Sequence, residues 1–185
     1  MPSLSVLATL YGTDKGPAED PASGLWVGHN YTPHYERHFE PLRALPVTLL
    51  EIGVREGASL RMWAEWFTNA QIIGVDFDPT CTLNEGRVST IICPIQDLQF
   101  TSPLDIVVDD GSHVAEDISA GLSKLWPLVV LGGWYVVEDI GNLDWAGSLS
   151  VEEMDAIEAT IHPSEVYAYP SESHNCPSWI RFYRK

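Results

Sequence analysis

The sequence predicts an α/β domain of three layers: a mostly parallel sheet between two layers of helices, with an antiparallel strand at the C-terminal end. Three observations carry this reading. Continuously apolar runs of strand length recur along the chain, as in TLLEIGV (48–54), QIIGVDFD (71–78) and LDIVVDDG (104–111). Strands of that kind are buried on both faces, which is the condition of a parallel sheet covered by helices. Between them lie segments with apolar residues at helical spacing, the alternation expected of strand–helix–strand units. Finally, 185 residues suffice for one domain with a sizeable core and leave little room for a second.

The elements follow in order. Residues 1–45 precede the first apolar run as a separate N-terminal segment, and residues 46–185 form the domain proper. The first strand, 48–54, leads into ASLRMWAEWFTN (58–69), where Leu60, Trp63, Ala64 and Phe67 share one helical face. QIIGVDFD is the second strand, STIICP (89–94) the third and LDIVVDDG the fourth. Val114, Ile118, Leu122 and Leu125 then form the apolar stripe of a helix. GWYVVEDI (133–140) is a fifth strand, and Ser150 with Glu153 reads as a capping box opening a helix through Ile161. VYAYP (166–170) and SWIRFYRK (178–185) read as a hairpin-like closing pair.

Composition excludes several classes. The most apolar stretch, LWPLVVLGGWYVV, is broken by Pro127, Gly132 and Gly133, and it falls short of the roughly 20 residues of a membrane helix. The opening MPSLSVLATL has neither a basic leader nor a cleavage pattern, so no secretory signal is expected. Cys81, Cys93 and Cys176 are widely spaced and form no CxxC, which fits free thiols in a reducing cytoplasm and neither a disulfide frame nor a zinc site. A formal net charge of −16 disfavours nucleic acid and anionic membrane as partners and favours a cationic ligand or metal ions.

The acids are not scattered. Glu51 closes the first strand, Asp76 and Asp78 the second, Asp109 and Asp110 the fourth, Glu138 and Asp139 the fifth. In parallel strands all of these would meet on one edge, where open α/β sheets bind ligands. Carboxylates repel one another and cost free energy when buried unpaired, so the gathering calls for a cation or a hydroxyl-rich ligand. The first strand-to-helix turn, E-I-G-V-R-E-G, with Glu51, Gly53 and Gly57, lacks the G-x-G-x-x-G spacing that seats a pyrophosphate. It suits a nucleoside without phosphates, and Asp76, 25 residues beyond Glu51, is placed to accept from ribose hydroxyls. In VVDDGSHVAED (107–117), His113 follows Asp110 by three residues, and Glu138 follows Asp110 by 28 residues, the length of a helix plus the neighbouring strand. Glu116 and Asp117 read simply as acids at a helix N-terminus.

E-I-G-V-R-E-G, I-I-G-V-D, D-I-V-V-D-D-G-S-H and V-V-E-D together resemble the class I S-adenosylmethionine-dependent methyltransferases. More narrowly they resemble the metal-dependent bacterial O-methyltransferases of natural-product sugars. Y-G-T-D-K (11–15) and H-N-Y-T-P-H-Y (29–35) are similar to segments of that group. The resemblance implies a Rossmann-like class I sheet, S-adenosylmethionine as cofactor, and Mg²⁺ or another divalent cation. It further implies a small-molecule glycoside or amino-sugar acceptor and a cytoplasmic homo-oligomer. By position, Glu51, Gly53 and Gly57 would line the methionine and ribose side of the cofactor, with Asp109 beside them. Asp76 would hold the ribose hydroxyls, Gln96 and Asp97 would flank the adenine, and Lys15 would reach the cofactor carboxylate. Asp110, Glu138 and Asp139 would bind the metal, with His113 as general base and Asp110 as its catalytic neighbour. The segment 1–45, with His29, Tyr31, His34 and Tyr35, would serve as an acceptor or cofactor lid or an oligomer contact.

The chemistry suits those residue types. A sugar hydroxyl is a poor nucleophile until deprotonated, and a base titrating near neutrality helps most. A hard cation held by oxygen ligands stabilises the charge that develops. Two other classes remain open at this point: N-methylation of an amino sugar, which needs less from a metal, and a nucleoside-binding regulatory module without catalysis. A metal-dependent hydrolase would leave Glu51 and Asp76 without a ligand, and no G-x-S-x-G elbow is present.

Overall fold

The computed structural model describes residues 1–17, 28–141, 147–173 and 178–185. Seven strands form one sheet: β1 (Thr48–Ile52), β2 (Gln71–Asp76), β3 (Val88–Ile92), β4 (Leu104–Asp109), β5 (Val129–Ile140), β6 (Glu165–Pro170) and β7 (Trp179–Arg184). Their order across the sheet is β3-β2-β1-β4-β5-β7-β6. The first five are mutually parallel, β7 is antiparallel to β5, and β6 is antiparallel to β7. Only β7 therefore runs against the rest, as the sequence predicts. The fold is that of a class I methyltransferase.

Successive strand residues point to opposite faces, and each face has its own helical layer. On one side Leu49, Ile72, Ile106, Val108 and Phe182 pack against α1 (Leu4–Tyr11), α2 (Thr32–Phe39) and α3 (Ala58–Trp66) through Leu4, Leu7, Tyr35, Phe39, Leu60 and Trp63. On the other, Leu50, Val75, Val107, Tyr135 and Val137 pack against α4 (Ala115–Leu125) and α5 (Val151–Ile161) through Ile118, Leu122, Leu125 and Met154. The capping box at Ser150 and Glu153 forms as read. The N-terminal residues are thus part of the core.

Two boundaries differ most from expectation. Helix α3 ends at Trp66 rather than 69, because the Thr68 N–H and the Asn69 side chain turn away to bond the carbonyls of Arg43 and Ala44. Strand β5 begins at Val129 and runs through both glycines; Gly132 takes a left-handed φ of +81° and bonds the Lys185 carbonyl. Cys81 and Cys93 are free thiols, and Cys176 lies outside the described residues. No described helix is long and apolar enough to cross a membrane.

Candidate active site

The strand order reverses between β1 and β4, and a cleft of about 930 Å³ opens beyond the carboxyl ends there. Residues 53–56 after β1, 76–78 at and after the end of β2, 94–96 after β3 and 109–113 at and after the end of β4 line it, with Asp139 of β5 and residues 12–14 from the loop after α1.

At the β1–β2 end the main chain does most of the holding. Gly53 sits at φ +90°, and a Cβ there would lie 2.1 Å from the Asp110 carbonyl oxygen, so only glycine lets the two turns approach. Asp76 accepts from the N–H groups of Val54 at 2.8 Å, Arg55 at 3.3 Å and Asp78 at 2.9 Å. Partial burial pushes its carboxyl up, but those backbone donors together hold it below the ordinary range. Gln96 lines the cleft and donates to Asp117, which also accepts from the Ser112 hydroxyl. Asp97, expected beside it, is exposed on a short 3₁₀ turn and is not among the cleft-lining residues. Gly57 is not among them either: it is the left-handed cap of α3, and a Cβ there would come 2.6 Å from Leu83.

At the β4–β5 end side chains do the holding. Asp109 lines the cleft but is buried and accepts from the Tyr135 hydroxyl at 3.0 Å; burial pushes its carboxyl up to about 7 against that bond. Asp110 points to the opposite face of the sheet. There Lys15, expected at the cofactor carboxylate, is enclosed instead by Asp110, Glu138 at 3.0 Å and Glu51 at 3.2 Å. Burial would lower the Lys15 pKa, and the three carboxylates more than reverse that. Glu51 lies beneath the cleft floor, bonded by the Trp63 indole N–H at 3.1 Å, and burial, opposed by Lys15, pushes it up to about 7. Burial likewise raises Glu138, which accepts from the Tyr35 hydroxyl.

Asp139 lies where the register of β5 against β7 is irregular, with φ at +53°. Such a bulge re-aims a side chain. Its Oδ1 accepts from Tyr31 and Ser178, each at 2.9 Å, and lies 3.4 Å from His29. His113, also left-handed at φ +58°, places Nε2 3.8 Å from Asp110 and 4.0 Å from Asp139. Side chains rarely adopt this conformation except where surrounding contacts impose it, often at functional sites. Ligating atoms of Asp110, His113 and Asp139 all lie within 4.8 Å of one another. The structure brings these three together, with Glu138 behind them against Lys15 and Tyr35. Tyr31 and Tyr35 fall within the H-N-Y-T-P-H-Y segment, which the sequence singles out without assigning their partners. Tyr135 reads only as strand core, and Ser178 carries no local signal.

Residues 50–140 match the family described as "Methyltransferase domain". An 8-demethyl-8-alpha-L-rhamnosyl tetracenomycin-C 2'-O-methyltransferase of Streptomyces olivaceus is 37% identical, over 78% of this chain and 39% of that protein. A mycinamicin VI 2''-O-methyltransferase of Micromonospora griseorubida is 32% identical, over 97% of this chain and 48% of that protein. The structure of MycE methyltransferase from the mycinamycin biosynthetic pathway in complex with Mg and SAH superposes with a TM-score of 0.77 at 32% identity, covering all of this chain and 55% of that one. The chain thus spans about half the length of these relatives, or less.

Proposed function

We propose that this chain, whose residues 50–140 belong to the methyltransferase-domain family, transfers a methyl group from S-adenosylmethionine to a sugar hydroxyl of a glycosylated natural product with the help of a divalent cation. The observation that carries the reading is the meeting of Asp110, His113 and Asp139 at one end of a cleft whose other end is built from Gly53 and Asp76. The relatives named above as O-methyltransferases, and the related structure holding Mg and SAH, support it.

Gly53 lets the turns after β1 and β4 meet at the cleft, where the cofactor would lie. Asp76 keeps acceptor capacity for ribose hydroxyls beyond its three N–H bonds, and Gln96 stands where the adenine would lie. The donor set at the other end fits a hard cation, since Asp110 and Asp139 bring carboxylate oxygens together beside His113, while Glu138, the further ligand the resemblance implies, is turned to Lys15 and Tyr35. When bound, the cation would stabilise negative charge developing on the acceptor oxygen. His113 would take the proton from the acceptor hydroxyl, and the electron pair so freed would form the new O–CH₃ bond as the methyl–sulfur bond breaks. Residues 1–45 would serve as a wall or lid, since residues 12–14 already line the cleft. A cytoplasmic homo-oligomer acting on small molecules, with neither nucleic acid nor membrane as partner, completes the reading.

The test is turnover with methyl-labelled cofactor and a panel of glycosides carrying free hydroxyls or amines. Chelated protein should be inactive and Mg²⁺ should restore transfer to hydroxyl acceptors. Full turnover of amino sugars under chelation would replace this reading with N-methylation. Cofactor binding without transfer to any acceptor would favour the regulatory module.

A further inference from the structure

Lys15 is the only one of the protein's three lysines that is wholly buried, and it is buried among acids. Its ammonium contacts Asp110 Oδ2, Glu138 Oε1 at 3.0 Å and Glu51 Oε1 at 3.2 Å. Its backbone is fixed as well: the Lys15 carbonyl accepts from the Thr32 N–H at 3.1 Å, and the preceding Asp14 carbonyl from the His29 N–H at 2.7 Å. The loop after α1 is therefore tied to the start of α2, and from there the ammonium enters the floor of the site.

We propose that Lys15 is a positioning residue for the divalent cation: from inside the protein it holds Asp110 and Glu138 in place and neutralises carboxylates that would otherwise repel one another. The inference rests on the function proposed above and adds a residue that acts through the cation ligands. Asp110 divides its two oxygens, Oδ2 to Lys15 and Oδ1 towards His113 at 3.8 Å. Glu138 Oε1 is pinned by Lys15 and by the Tyr35 hydroxyl together. Lys15 takes one oxygen of Asp110 and leaves the other turned towards the cleft, so the geometry of the set is fixed before a cation enters. A purely structural role is a weak explanation, because buried ion pairs seldom stabilise more than apolar side chains of similar volume.

The experiment measures binding rather than turnover. Isothermal calorimetry on the full chain should show that Lys15→Met weakens Mn²⁺ or Mg²⁺ affinity by roughly 10–100-fold, the usual effect of losing a group that orients metal ligands. Affinity for the demethylated cofactor product should change by less than about twofold. Unchanged cation affinity in the variant overturns the inference. If Lys15→Met does not fold, Lys15→Met/Glu51→Gln removes one carboxylate along with the ammonium and should show the same weakening. In the wild type, the ¹⁵Nζ resonance of Lys15, shielded from solvent, should move on Mg²⁺ titration; no movement at saturation also overturns it. Wild-type protein that shows the Lys15 response but binds no cofactor product would defeat the methyltransferase reading and leave the positioning role standing. A wild type that binds no divalent cation defeats both.

Discussion

At the β1–β2 end of the cleft, Asp76 is held by backbone N–H groups at most 22 residues away in sequence. At the β4–β5 end, Asp110, Glu138 and Asp139 are held by side chains 95, 103 and 108 residues away, namely Lys15, Tyr35 and Tyr31. The first arrangement uses donors that every non-proline residue carries, so it is built once the strand–turn–helix unit forms. The second needs particular side chains from a remote segment that must dock before the acids are paired. The β1–β2 end should therefore tolerate change in its surroundings, and the β4–β5 end should depend on distant residues.

The sharpest way to separate the two ends is His113→Ala. Its loss should lower the rate of methyl transfer by roughly 10²–10⁴-fold, the usual contribution of a positioned base. Affinity for the cofactor product, measured by calorimetry, should stay close to wild type, and a parallel loss of both would mean that the ends are not independent. Asp76→Ala is the converse experiment. It should weaken cofactor binding by about 10–100-fold, as expected for hydrogen bonds to a charged group, with cation affinity unchanged. Equal cofactor affinity in wild type and variant would remove the ribose assignment.

Dependence on remote residues is tested by Tyr31→Phe, which deletes a donor to Asp139 without changing the ring. A cation affinity reduced by about tenfold is expected from one charge-assisted hydrogen bond. A Tyr31→Phe protein with wild-type cation affinity would break the contrast between the ends. The smallest effect concerns pH. Burial raises the Glu51 carboxyl from its ordinary 4.5 to about 7, so the folded protein keeps this proton longer than the unfolded chain does. The group's contribution to stability is then complete below about 4.5 and is lost as pH rises through about 7. Glu51→Gln should flatten the melting temperature across that window; an unaltered slope would show that Glu51 does not titrate there.

Legibility in the sequence follows the same division. The positions of Gly53, Asp76, Asp110, His113 and Asp139 around one cleft were readable because each stands directly after an apolar run or a few residues beyond it. In the sequence Lys15 and Glu51 read as cofactor contacts, whereas the structure makes them a buried ion pair under the cleft floor, and nothing near either one in the sequence names the other. Asp97 shares its acidic character with Gln96's surroundings but sits on the outer side of a 3₁₀ turn, and a turn's facing is decided by what packs beneath it, here Ile95.

By itself the sequence determined the order and type of the elements from β1 onward, though not the helices α1 and α2, together with the capping box at Ser150 and Glu153 and the placing of acids at strand ends, because periodicity, capping and strand termination are local properties of the chain. Only the tertiary structure decided which acids gather around the buried Lys15 ammonium and which face the cleft. It turned Lys15 inward, set His113 and Asp139 in left-handed backbone, and paired Asp139 with Tyr31 and Ser178. The reason is the cost of burying charge: a carboxylate at a strand end stays buried only with a partner, and partners separated by about a hundred residues meet only when the N-terminal segment packs against the sheet.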